Sequence, residues 1–175
     1  MKNNDMKANN KNLLAIMAFT LVSCFQSKEK EVVLYPSFYV EDYRIVYNDN
    51  DIVIKACCKD SVIDKWDLVM KNGEYYISYR GKKYLFLSTK REWDTVCEVY
   101  PDFPKHIVTQ KLNDSLFVSS FNQTIIHEGM LLEVVYDKFY KIKQVRHQNM
   151  WLDYTPKGVK AIKYIPFIYS NGRDD

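Results

Sequence analysis

The chain has 175 residues and a formal net charge of +3, from 25 lysines and arginines against 22 acids. That near-balance gives no general attraction to nucleic acid. A composition 47% hydrophobic and 15% aromatic excludes a disordered stalk, and the length suits one domain with its own core. The first zone, Met1 to Asn12, is polar and carries Lys2, Lys7 and Lys11 against Asp5. An apolar run from Leu13 to Val22 follows, then Ser23 and Cys24. A basic head, a short apolar run and a small residue make a secretory signal. The run falls short of the roughly 20 apolar residues that a membrane-spanning helix needs.

The end of that run, Leu21-Val22-Ser23-Cys24, resembles the lipobox of bacterial lipoproteins. The resemblance covers the signal alone. It implies cleavage between Ser23 and Cys24 and a diacylglyceryl thioether on the Cys24 sulfur. The first expected partner is therefore a membrane, held through lipid, where two or more acyl chains anchor stably and one does not. Residues 1–23 are the expected signal peptide. Residues 24–31 are the acylated cysteine and a polar tether, Phe25-Gln26-Ser27-Lys28-Glu29-Lys30-Glu31, without glycine or proline. Phe25 stands where the sorting rule of Gram-negative bacteria places aspartate for inner-membrane retention, so the resemblance implies the outer membrane. The acid-containing tether is similar to the surface-export signals of Bacteroidetes lipoproteins. Periplasmic and surface-exposed faces both stay open. Cleavage removes three lysines and one aspartate, which takes the charge from +3 to +1.

Residues 32–169 read as one β-rich domain, with a polar tail at 170–175. The side-chain period is two. Tyr43 to Tyr47 and Ile52 to Cys58 flank Asn48-Asp49-Asn50-Asp51, a hairpin. Asn72-Gly73, a strong two-residue turn signal, separates Trp66 to Met70 from Tyr75 to Tyr79. Arg80-Gly81-Lys82-Lys83 then turns the chain into Tyr84 to Ser88. Thr89-Lys90-Arg91-Glu92 matches a capping box and could open one short helix; the alternative is a turn into a strand over Thr95 to Tyr100. Ile107 to Lys111 and Ser115 to Phe121 flank Asn113-Asp114. Strands are expected at Thr124 to His127, Leu131 to Tyr136, Phe139 to Val145 and Val159 to Ile165. About nine to eleven short strands in succession predict an all-β fold. The consecutive hairpins suit an antiparallel meander forming a lipocalin-like barrel or a curved open sheet.

With Cys24 spent on lipid, Cys57, Cys58 and Cys97 remain. Neighbours in a strand point to opposite faces, so at most one of Cys57 and Cys58 could pair with Cys97. Three reduced thiols are the alternative. None of His106, His127 and His147 stands in a zinc-binding spacing, and adjacent cysteines cannot converge on one ion, so no metal and no cofactor are expected. No nucleophile elbow, phosphate loop or dinucleotide fingerprint is present. Lys138, Lys141, Lys143 and Arg146 read as solvating an exposed edge. Fourteen tyrosines and three tryptophans are expected mostly in packing, but Trp93, Trp151 and Trp66 lie beside strand ends and are candidates for a binding face. The chain as a whole resembles small Bacteroidetes lipoproteins of unknown function. The expected role is a non-enzymatic binding or interaction module for an envelope protein or glycan. The competing readings are an envelope hydrolase with an acidic or histidine site and a structural envelope component.

Overall fold

Alternation of side chains makes the strands. In Asp51–Cys58, Ile52, Ile54 and Ala56 are buried while Val53 and Lys55 are half-exposed, the pattern of a pleated ribbon with one face on a core. The computed structural model describes residues 30–35, 41–98, 105–123, 130–146 and 152–164. Among these residues twelve strands follow one another: β1 (Lys30–Leu34), β2 (Glu41–Tyr47), β3 (Asp51–Cys58), β4 (Ser61–Lys71), β5 (Glu74–Tyr79), β6 (Lys82–Leu87), β7 (Trp93–Glu98), β8 (Lys105–Lys111), β9 (Leu116–Gln123), β10 (Met130–Asp137), β11 (Ile142–Arg146) and β12 (Asp153–Tyr154). They form two six-stranded antiparallel sheets, β1 to β6 and β12 to β7, each in chain order.

Turn chemistry sets the connections. Lys59-Asp60, Asn72-Gly73 and Arg80-Gly81 all hold positive φ at both residues, as two-residue hairpin turns require. Asn113 builds the β8–β9 turn by accepting the N–H groups of Ser115 and Leu116 at 2.9 and 3.0 Å. Because strand direction alternates, the turns at 48–50, 72–73, 88–92, 112–115 and 138–141 share one end of the molecule. Tyr140 Oη donating to Gly73 O at 2.8 Å and Lys90 Nζ to Asn72 O at 2.7 Å bind that end together. The far end carries the 59–60 and 80–81 turns.

One buried cluster draws on both sheets, including Leu34, Tyr43, Ile54 and Phe86 from the first and Ile107, Phe117, Leu132 and Tyr136 from the second. Tyr43 meets Tyr154 edge-on at 4.6 Å, and Tyr79 meets Phe121 at 5.1 Å. Of the two expected forms, the curved open arrangement is the one observed. Neither sheet closes into a barrel. β1 and β12 touch through one isolated bridge, Tyr35 with Thr155. At the other seam β6 and β7 do not pair; Tyr84 Oη instead donates to Cys97 O at 3.0 Å, beside an irregularity in β7.

Several expectations change, among them the strand expected from Phe139, which begins only at Ile142, after a turn. No helix occurs among the described residues: after Ser88 the chain bends and enters β7 at Trp93. The Ser88 hydroxyl accepts the N–H groups of Lys90 and Arg91 at 3.1 and 3.2 Å, so Ser88, not Thr89, caps this turn. Residues 159–164 form no strand. Gly158 stands at φ +78°, and Thr155 Oγ1 donates to Val159 O at 2.8 Å, which bends the chain. Arg146 is not on a solvated edge. It is 6% exposed, in a strand flanked by β10 and β12. The expected strand at 124–127 lies outside the described residues.

Candidate functional site

Trp93 opens β7 directly after the Ser88 turn and is 39% exposed. Its orientation is set from beneath. Glu74 at the start of β5 is buried, and it accepts Ser88 Oγ at 2.7 Å on one oxygen and Arg91 Nη2 at 3.1 Å on the other. The Arg91 guanidinium lies 5.2 Å over the Trp93 ring, a geometry of cation–π attraction. A buried carboxylate thus fixes an arginine, and the arginine fixes an exposed indole. Val96, 45% exposed and three residues on in the same strand, points to the other face of the sheet. The indole by itself offers a flat apolar surface with a cation beside it, suited to stacking on a ring or an extended apolar side chain.

Sequence reasoning missed a second polar cluster. Glu133 on β10 is 1% exposed. One oxygen accepts Ser120 Oγ at 2.6 Å; the other accepts Arg146 Nη1 at 3.0 Å and the Tyr164 hydroxyl. Arg146 also donates to Asp153 at 2.6 and 2.9 Å, and Gln144 Nε2 donates to the same oxygen at 2.8 Å. Burial opposes the Arg146 charge, but Tyr164, Asp153 and Glu133 outweigh it and hold the guanidinium above its ordinary pKa. Burial first, and then Glu133, push the Tyr164 phenol up. Gln144 Oε1 accepts Ile162 N at 2.7 Å. Both carboxylates are therefore engaged in fastening residues 152–164 to the outer face of the second sheet. A signal existed: Glu133 is a lone acid in Leu131-Leu132-Glu133-Val134-Val135, and a buried acid demands a cation in a neighbouring strand.

Cys24, Trp151, His127 and His147 lie outside the described residues. Trp66 packs partly buried against the core, its ring 6.4 Å from Tyr43. Trp66 and Trp93 stand in different sheets. No disulfide joins Cys57, Cys58 or Cys97; of the two alternatives, the structure has reduced thiols. Cys57 and Cys58 lie on β3 inside the first sheet, whereas Cys97 lies on β7 at an edge of the second. The register does place Cys57 opposite Asp42 and Cys58 opposite Glu41, on opposite faces as alternation requires. Burial pushes the Cys57 thiol up, which lowers its reactivity. His106 Nδ1 lies 3.5 Å from Asp94 across the β7–β8 pair. Among the described residues no cluster of His, Cys, Asp and Glu could hold a metal ion, and no helix is long and apolar enough to cross a membrane.

Comparison with protein-family models, with curated proteins and with solved structures finds no match.

Proposed function

We propose that this chain is an exported lipoprotein of the bacterial cell envelope, held to the outer membrane by lipid on Cys24, whose β domain binds an envelope protein or glycan without transforming it. The anchoring half rests on one alignment in the sequence: basic head, short apolar run and Leu21-Val22-Ser23-Cys24 stand in the order that lipid attachment uses. The binding half rests on Trp93, a 39%-exposed indole held open by the Glu74–Arg91 pair. Exposed tryptophan with arginine beside it is the composition of interface hot spots.

Replacing Trp93 by Ala tests the binding half. The side chain is partly exposed, so the cost in stability falls below the roughly 3–5 kcal/mol of a buried tryptophan. The variant keeps a near-parental melting point and loses retention of envelope extracts or polysaccharides. Undiminished retention, or turnover of a substrate that depends on His106 or a carboxylate, contradicts the proposal.

A further inference from the structure

Phe139 is the most exposed large apolar side chain among the described residues, at 77%. The turn that carries it is firmly built. Asp137 Oδ1 accepts the N–H groups of Phe139 at 2.9 Å and Lys141 at 3.0 Å, and its other oxygen pairs with Lys143 at 2.9 Å. Asp137 N donates to Lys141 O at 3.1 Å, and Tyr140 N to Asp137 O at 2.9 Å. Burial works against the Asp137 charge, but Lys143 and these N–H groups outweigh it and hold the carboxyl below its ordinary pKa. The turn that presents the ring is therefore held by its own hydrogen bonds and is not a frayed loop. Lys138 Nζ lies 5.1 Å over it, and Lys141 is exposed on the same turn. The adjoining 72–73 and 88–92 turns add Lys71 and Lys90, both exposed. The same end also carries the exposed acids Asp49, Glu92 and Asp114 on its 48–50, 88–92 and 112–115 turns, so the basic groups closest to the ring in sequence are Lys138 and Lys141.

A second observation is where the chain enters the fold. Lys30 at the start of β1 pairs with Tyr47. The Tyr47 hydroxyl accepts Ile142 N at 2.8 Å, and Ile142 follows the Phe139 turn at once. Five residues separate Cys24 from Lys30, so six backbone steps keep the lipidated cysteine within about 20 Å of this point however the tether runs. The far end of the molecule lies about 27 Å from Lys30, along the eight residues of β3 and beyond the reach of that tether.

We propose that the turn at residues 137–141 docks on the bilayer that receives the Cys24 lipid: Phe139 enters the interfacial layer while Lys138 and Lys141 meet lipid phosphates. This rests on the lipid-anchor reading above. The lipid provides residence on the membrane. The turn provides orientation, with residues 137–141 against the bilayer and the 59–60 and 80–81 turns facing away.

The test uses the full lipidated protein in vesicles of mixed zwitterionic and anionic phospholipid with brominated acyl chains, which quench nearby indoles. Phe139→Trp and Lys82→Trp change exposed positions at opposite ends, and each is read as the difference from the parent with its own three tryptophans. The docking predicts that the added emission of the Phe139→Trp protein is quenched several-fold more than that of the Lys82→Trp protein. Equal quenching in a protein that stays on the vesicles overturns the docking and leaves the anchor standing. A protein that carries no lipid and leaves the vesicles overturns the anchor and the docking with it.

Discussion

A phenol inside a core must hydrogen-bond, or folding pays for its lost water. Tyr136 Oη accepts Ser88 N at 2.9 Å, donates to Ser88 O at 2.8 Å and lies 3.1 Å from Ser119 Oγ. Tyr136→Phe leaves the Ser88 backbone groups unsatisfied, so it should cost about 1–3 kcal/mol, seen as a lower urea midpoint at unchanged slope. Burial also pushes the Tyr47 phenol up from 10.0 to about 12. The unfolded chain then releases this proton at lower pH than the folded one. The contribution is fully present below pH 10 and is lost as pH rises toward 12. Tyr75, Tyr136 and Tyr164 shift the same way. A pH series of melting points should therefore fall on the alkaline side, and Tyr47→Phe should flatten part of that fall. A melting point level through that window counts against the burial of these phenols.

At the scale of elements, the second sheet holds the C-terminal segment through the Glu133–Arg146–Asp153 cluster. Arg146→Ala strands a 1%-exposed carboxylate and should cost about 3–5 kcal/mol. Lys65→Ala breaks a pair whose side chains are 50% and 57% exposed and should cost under about 1 kcal/mol. Chemical denaturation of the two variants checks the ordering. The hairpins at 48–51, 72–73, 80–81 and 113–114 are legible because Asn, Asp and Gly suit turn backbones. Lys59-Asp60 adopts the same positive φ without such a signature, so nothing in the sequence begins β4 at Ser61. Val159 to Ile165 has strand composition, yet Gly158 and the Thr155 hydroxyl take residues 159–164 out of the ladder. Trp93 is legible as exposed from its charged neighbours. Its support by Glu74 is not, since the two stand on different sheets and only the folded chain brings them together.

For the whole molecule, one core shared by both sheets implies one cooperative unfolding step and a strand-dominated circular dichroism spectrum. Two separable transitions would mean that the sheets fold independently. The Phe139 turn, the Trp93 face and the far end acquire their roles only if the chain is tethered where the sequence indicates. The most direct test is detergent phase partition of the full chain expressed in a bacterium, alongside Cys24→Ala, with the mature N-terminus identified by mass. The account predicts that the parent enters the detergent phase with an acylated Cys24 at its N-terminus and that Cys24→Ala moves to the aqueous phase. A parent in the aqueous phase, or a mature N-terminus elsewhere than Cys24, contradicts it.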